Sequence, residues 1–93
     1  MIKVQFYGLL RLLLKQEKLE LPALANESVR ELLDRLQRQI TTPFLHKLLA
    51  EDGQIFAGTI ILVNRHNVLH LDGLQTRVAA GDVVAFFPPG AGG

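Results

Sequence analysis

The residues best suited to chemistry lie in the last six positions of the sequence, which read Pro88-Pro89-Gly90-Ala91-Gly92-Gly93. The α-carboxylate of Gly93 is a poor electrophile on its own, but adenylation by ATP would attach a leaving group to it. Because glycine has no Cβ, a partner's active site could approach the Gly92-Gly93 backbone closely and reach the carbonyl without hindrance. The pattern therefore predicts a chain end that is activated by another protein.

The two prolines before this glycine pair predict an arm with a stiff base. Pro88 and Pro89 favour polyproline geometry, which lowers the entropy that the chain end would lose on entering a narrow channel. Six residues at about 3.3–3.6 Å each reach roughly 20 Å beyond the last strand. The alternative is a frayed tail without a role, since terminal residues are often disordered whatever their function. The position of the glycine pair favours the chemical interpretation.

Other candidate sites are weak. The sequence has no cysteine, which excludes disulfides, thiolate metal sites and cysteine nucleophiles. His66 and His70 are four positions apart, about 13 Å along an extended chain, so we do not expect them to form a zinc site. Ser28 has the context of a helix cap and no surrounding nucleophile motif. No metal site, no permanently bound cofactor and no catalytic activity of its own are therefore expected.

The bulk properties predict one small globular domain. The chain has 93 residues, of which 48% are hydrophobic, and its ten basic and nine acidic residues give a net charge of +1. This near-balance argues against nucleic acid as a partner. The leucine-rich stretch at residues 9–14 is interrupted by Arg11 and is far shorter than the roughly 20 residues that a membrane span needs. We expect a cytoplasmic protein that has a folded domain at residues 1–87 and a flexible tail at residues 88–93.

The first half of the sequence predicts a hairpin followed by a helix. Ile2–Phe6 alternates apolar and polar residues, Gly8 permits a turn, and residues 19–21 resume the alternation, as in a β-hairpin. Ser28 and Glu31 have the spacing of a capping box at the start of a helix with one apolar stripe ending at Ile40. The i,i+4 spacing on the opposite face predicts ion pairs Glu31–Arg35 and Asp34–Arg38.

The second half predicts strands. A proline start favours a short second helix over residues 43–49. Strands are predicted at residues 59–63 and 68–70, joined by a connection at residues 64–67, and at Val83–Phe87. A mixed sheet of four to five strands with the main helix on one face is an α+β domain, and with the last strand beside the first it is the β-grasp, or ubiquitin-like, fold.

The last strand carries the most specific motif. Residues Gly81-Asp82-Val83-Val84-Ala85-Phe86-Phe87-Pro88-Pro89, followed by Gly92-Gly93, make the sequence resemble the ubiquitin-like sulfur carriers of the MoaD/ThiS family. The Lys3-Val4 strand and Leu62-Val63-Asn64 support this resemblance over almost the whole length. The Phe-Pro-Pro signature is more similar to the small subunit of molybdopterin synthase than to the thiamine-pathway carriers.

The resemblance implies a mechanism. A ubiquitin-activating-type adenylyltransferase would use ATP to adenylate Gly93, and a sulfur donor system would replace AMP by sulfur to give a thiocarboxylate. As the small subunit of molybdopterin synthase, the loaded carrier would deliver sulfur within the large subunit during molybdenum or tungsten cofactor synthesis. Three alternatives stay open: a thiamine-pathway or other sulfur carrier, a protein modifier conjugated through Gly93, and a binding module with an incidental tail.

The resemblance also implies a docking surface. An all-apolar strand in a sheet that has a helix on one face leaves hydrophobic area exposed, and such patches often bind partners. The family places Leu62 and Phe87 on this open face; the alternative is that residues 40–56 cover it. The expected partner-binding residues are Leu62, Phe87, Pro88, Pro89, Gly90 and Ala91. Gly90 departs from the apolar residue usual after the prolines, and Arg65 replaces a usual glycine in what we interpret as a longer turn of no functional weight.

Overall fold

Alternating side chains in the first and last strands build the centre of the sheet. The computed structural model describes residues 1–90, and Ala91, Gly92 and Gly93 lie outside the described residues. The strands are β1 (Ile2–Phe6), β2 (Lys18–Leu21), β3 (Ile60–Val63), β4 (His66–Asn67) and β5 (Val83–Phe87), in the order β2-β1-β5-β3-β4. β1 and β5 are parallel, whereas the other neighbours are antiparallel. The predicted mixed sheet with the last strand beside the first is confirmed.

The main helix, α2 (Val29–Gln39), begins where the capping box predicts. The Oγ of Ser28 accepts a hydrogen bond from the backbone N–H of Glu31 at 3.1 Å, and the carboxylate of Glu31 accepts one from the backbone N–H of Ser28 at 2.9 Å. The apolar stripe of α2 is buried against the sheet through Val29, Leu32, Leu33 and Leu36. One helix gripped by a mixed five-stranded sheet is the β-grasp fold that the sequence predicts.

The capping box makes the stability of α2 depend on pH. The backbone N–H of Ser28, together with the Ser28 side chain and the nearby Arg77, holds the pKa of Glu31 below its ordinary value of 4.5. A lowered folded-state pKa means that the carboxylate stabilises the fold above the unfolded-state value, and that this contribution is lost as the pH falls through the folded-state value. The contribution is therefore fully present at neutral pH.

We expect Glu31→Gln to lower the free energy of unfolding at pH 7, because the amide keeps the hydrogen bond to Ser28 but loses the charge. The difference from the wild type should shrink below pH 4.5 and vanish once the wild-type carboxyl is protonated in both states. Urea unfolding of both proteins across this range measures the difference. A difference that is independent of pH would contradict this role of the charge.

The connection between β1 and β2 differs from the predicted hairpin turn. The two strands pair as expected, but α1 (Gly8–Leu14) lies between them. Gly8 enters the helix with a φ of 59°, and Lys15 ends it in the left-handed conformation with a φ of 53°. The five leucines of this segment are strong helix formers, so a helix forms where the prediction has a turn. Leu10 is buried and attaches α1 to the core.

Two other local predictions need correction. The short helical segment predicted within residues 43–49 is present, but it is a 3₁₀ helix over Leu45–Lys47, and the second α-helix of the fold is α1. The predicted strand at residues 68–70 is also a 3₁₀ turn, Val68–His70, because the side chain of Asn67 accepts a hydrogen bond from the N–H of Leu69 at 2.9 Å and caps it. The turn between β3 and β4 is shorter than predicted and consists of Asn64 and Arg65, both with positive φ.

The helix side of the sheet holds the core. The ring of Phe6 lies 6.2 Å from that of Phe44 and 6.3 Å from that of Phe86, centroid to centroid. Phe44, Leu48 and Leu49 of the 40–56 segment belong to the core cluster that also contains the buried residues of α2. These residues therefore pack on the helix side of the sheet, and residues 40–56 do not line the cavity on the opposite face. Within residues 1–90, the longest helix has 11 residues, and no helix is long and apolar enough to span a bilayer.

Candidate functional site

The arm begins where β5 loses its hydrogen-bonding partners. The N–H of Tyr7 donates to the carbonyl of Phe86 at 3.1 Å, and after Phe87 the two prolines have no N–H to continue the ladder. Pro88 and Pro89 are half-buried, and Gly90, the last described residue, is exposed. The arm therefore leaves the domain at the end of a central strand, with its base held and the following residue in solvent.

Two glycines flank the base of the arm. Gly8 and Gly58 have φ values of 59° and 92°, which side chains rarely adopt. A Cβ on Gly8 would lie 3.8 Å from Cδ of Pro88, and one on Gly58 would lie 3.5 Å from Cβ of Pro89. The start of α1 and the turn before β3 therefore both lie close to the prolines at the base of the arm.

The open face of the sheet carries the predicted docking residues. Phe87 and Leu62 are half-buried and lie on the side opposite the buried Phe86 and Ile61. The ring of Phe87 stacks on that of Tyr7, with centroids 4.3 Å apart and planes inclined by 9°. A shallow cavity of about 550 Å³ on this face is lined by Gln5, Tyr7, Leu62, Asn64, Arg65, Val83, Ala85 and Phe87. The face combines the apolar side chains of Leu62, Ala85 and Phe87 with the polar Gln5, which pairs with Ala85, and Arg65 also lines the cavity.

Tyr7 is the site residue that sequence reasoning missed. It follows Lys3 and Gln5 in the alternation of β1, and this register places it on the face opposite Phe6. Its hydroxyl donates to Oε1 of Gln5 at 2.9 Å, which orients the ring under Phe87. The signal was present in the sequence, because extending the alternation by one residue past β1 would have placed Tyr7 beside Phe87.

The turn between β3 and β4 is hydrogen-bonded to the start of β5. The side-chain amide of Asn64 donates to Oδ1 of Asp82 at 2.9 Å, and its oxygen accepts from the N–H of Val83 at 2.9 Å. Asp82 also accepts from the N–H of Ala79 at 2.8 Å. These bonds fix the register of β3 against β5, and so the position of Leu62 relative to Phe87.

The structure brings some predicted site residues together and leaves others undescribed. Leu62 and Phe87 share the open face, and Pro88, Pro89 and Gly90 form the start of the arm. Ala91, Gly92 and Gly93 lie outside the described residues, so the predicted chemical end of the arm stays a prediction. Within residues 1–90, no group of three or more histidine, aspartate or glutamate side chains could hold a metal ion.

Comparisons with known proteins agree with this geometry. The family model described as the ThiS family matches residues 4–93. A candidate sulfur carrier protein of Archaeoglobus fulgidus is 38% identical over 85 residues, which cover 82% of this chain and 97% of that protein. Small archaeal modifier protein 3 of Haloferax volcanii is 47% identical over 45 residues, or 48% of this chain and 49% of that protein.

The fold is also found in solved structures. The crystal structure of small archaeal modifier protein 1 from Haloferax volcanii superposes with a TM-score of 0.82 at 22% identity, covering 99% of this chain and 98% of that one. At this level of identity the likeness concerns the fold alone. The ThiS family model, in contrast, matches residues 4–93 and so extends over β5 and the arm.

Proposed function

The chain belongs to the ThiS family, and from this premise we propose that it is a sulfur carrier whose Gly93 is adenylated and then thiocarboxylated by partner proteins. The observation that carries the proposal is the family match, which runs to residue 93 and so includes the glycine pair. Carriers and small modifiers of this family are substrates of other enzymes rather than catalysts themselves. The catalytic groups therefore belong to the partners.

The proposed reaction has two stages. A carboxylate oxygen of Gly93 attacks the α-phosphorus of ATP on a ubiquitin-activating-type enzyme, and pyrophosphate leaves. A persulfide of the sulfur donor then attacks the acyl carbon and displaces AMP. A thiol finally attacks the donor sulfur of the resulting acyl disulfide. The S–S bond breaks, the thiocarboxylate leaves with the electron pair, and the thiol, which loses its proton, is oxidised as it forms a disulfide with the donor. ATP is consumed by the partner, and no cofactor stays on this chain.

The residues of this chain position its end. Leu62, Tyr7 and Phe87 offer the apolar surface on which a partner docks. Pro88 and Pro89 direct the arm away from the sheet, and Gly90, Ala91 and Gly92 give a slim segment that can enter a channel. Gly90 adds backbone freedom where the family usually has an apolar residue, so more of the binding energy must come from the folded face.

We propose molybdopterin synthesis as the pathway, with this chain as the small subunit of molybdopterin synthase. The support is the sequence Phe87-Pro88-Pro89, which resembles that branch more than the thiamine carriers. The large subunit would receive the arm and catalyse transfer of sulfur to the pterin precursor. Co-purification with a large subunit that converts the precursor only when loaded carrier is added would support this pathway, and a thiamine-pathway acceptor would contradict it.

A protein modifier is the second candidate function. The relative that is 47% identical over 45 residues is named a modifier, and its chemistry would start from the same adenylate. In that case a lysine amine would capture Gly93 as an isopeptide. Peptides with the Gly92-Gly93 remnant on a lysine ε-amine, found in cells that express this chain, would favour the modifier.

Adenylation itself is tested by pyrophosphate exchange. The purified cognate activating enzyme is incubated with ATP and labelled pyrophosphate, with and without this chain. We expect label to enter ATP only when the chain is present, because formation of the adenylate is reversible. A second carrier that supports exchange shows that the enzyme is active. If this chain does not increase exchange with that active enzyme, the proposal is contradicted.

Phe87→Ala tests the docking role of the open face. Removing a half-buried ring that stacks on Tyr7 should weaken binding to the activating enzyme about tenfold, as expected for an aromatic anchor, and should change the melting temperature little. Calorimetric titration and thermal unfolding measure the two effects. A variant that unfolds readily while its partner affinity is normal would show that Phe87 belongs to the core instead.

A further inference from the structure

A second apolar surface lies beside the base of the arm. Helix α1 exposes three of its leucines to solvent: Leu9 by 53%, Leu12 by 66% and Leu13 by 37%. Across from them, Phe56 is 40% exposed. Between them lies a cavity of about 780 Å³, the α1 groove, lined by Leu9, Leu10, Leu12, Leu13, His46, Lys47, Phe56, Ala57, Pro88 and Pro89.

The exposed leucines of α1 are not needed to hold the helix in place. Leu10 is 1% exposed and already anchors α1 in the core. Leu9, Leu12 and Leu13 therefore form an apolar surface that the domain leaves uncovered in the described residues. A contiguous apolar patch of this kind marks an interaction site more often than isolated surface leucines do.

The charges of the groove select the kind of occupant. Lys47 and His46 are the ionisable residues among its lining, and no carboxylate lines it in the described part of the chain. In a two-fold contact between copies of this chain the same surface would face itself, so Lys47 would meet like charge. An apolar segment that carries carboxylates at its edge would instead pair with Lys47 and bury the leucines.

The position of the groove identifies which partner would use it. Pro88 and Pro89 form one wall, so an occupant touches the base of the arm that leads to Gly93. The groove and the cavity on the open face share no lining residue. A partner that receives the arm could therefore contact both surfaces at once, one on each side of the point where β5 ends.

We propose that the α1 groove is a docking site, separate from the open face, for the activating enzyme, which inserts an apolar segment with carboxylates facing Lys47. This inference rests on the proposed function, because it assumes that an activating enzyme acts on Gly93. The groove adds affinity for the enzyme, while the chemistry stays with the enzyme. Its contribution is therefore binding that is equal in the ground state and the transition state, which appears in KM and not in kcat.

Steady-state adenylation kinetics with the purified activating enzyme test the proposal. Leu12→Ser should raise the KM for this chain about tenfold with kcat unchanged, as expected when one anchor is removed from an interface. Lys47→Glu should raise KM by at least as much, and Lys47→Arg should keep it near the wild-type value. Leu69→Ser is the matched control, because Leu69 is 61% exposed and does not line the groove.

Each outcome has a defined meaning. KM values of Leu12→Ser and Lys47→Glu equal to that of the Leu69→Ser control would overturn the inference and leave the proposed function intact. A wild-type dimer in sedimentation that dissociates on Leu12→Ser would assign the groove to a second copy and would also overturn it. Absence of adenylation in the wild type would overturn the proposed function, and this inference with it.

Discussion

Deleting Gly92 and Gly93 is expected to abolish adenylation and sulfur loading while the domain stays folded. The deletion removes the α-carboxylate of Gly93, which ATP would modify. The new carboxylate on Ala91 is two residues too short to reach the same position in the activating enzyme. Within residues 1–90, the buried hydrophobic residues all lie between Ile2 and Phe86, and the deletion removes none of them. Pyrophosphate exchange should fall to the level without the chain, and the melting temperature should stay at the wild-type value.

A change within the same arm provides the control for this deletion. Ala91→Ser keeps the length of the arm and the glycine pair, and it should be adenylated at close to the wild-type rate. Full exchange activity of the deleted chain would mean that the glycine pair has no chemical role. A lower melting temperature of the deleted chain would mean that the arm is part of the fold.

Glu27→Ala is expected to lower the free energy of unfolding by about 3 kcal/mol, because it leaves a nearly buried guanidinium without its partner. The side chains of Arg35 and Glu27 are only 12% and 5% exposed. The guanidinium donates two hydrogen bonds to the carboxylate, from Nε at 3.0 Å and from Nη2 at 2.8 Å. Urea unfolding of the wild type and the variant measures the loss.

The exposed ion pair on the same helix is the matched control for Glu27→Ala. Nη2 of Arg30 lies 3.2 Å from Oδ1 of Asp34, and the two side chains are 37% and 40% exposed. Asp34→Ala should cost no more than about 0.5 kcal/mol, as is usual for exposed pairs. If the two variants lost the same free energy of unfolding, the buried pair would not be stronger than the exposed pair, and the prediction would be contradicted.

This contrast also shows where sequence reasoning about the helix failed. The i,i+4 rule predicts the pair Glu31–Arg35, and it is wrong, because Arg35 binds Glu27 and Glu31 is engaged with Ser28. The predicted pair Asp34–Arg38 is likewise replaced, since Asp34 pairs with Arg30. The rule considers only neighbours on one isolated helix, whereas the loop before α2 brings Glu27 over Arg35.

The fold was predictable where the signals are local. The alternation in β1, the all-apolar run of β5 and the capping box at Ser28 depend on residues close in sequence, and they predicted the sheet and the main helix. Helix α1 was missed because seven residues with a near-continuous leucine run do not show a clear period. The strand predicted at residues 68–70 was lost to a side-chain cap from Asn67, a competition that apolar periodicity does not register.

The candidate site was predictable in part. The alternation of β5 and the family resemblance placed Leu62 and Phe87 on the open face, and the structure agrees. The α1 groove could not be predicted, because it joins α1, the segment around Lys47 and Phe56, and the prolines. These three segments are distant in sequence, so only the folded chain shows that they meet beside the arm.

The intact mass of this chain after sulfur loading tests the central claim most directly. The chain is incubated with the cognate activating enzyme, ATP and a persulfide donor, and its mass is compared with that of the chain incubated without ATP. We predict a gain equal to the exchange of one oxygen for one sulfur, located by fragmentation at Gly93. An unchanged mass, or sulfur located at any other residue, would contradict the proposed function.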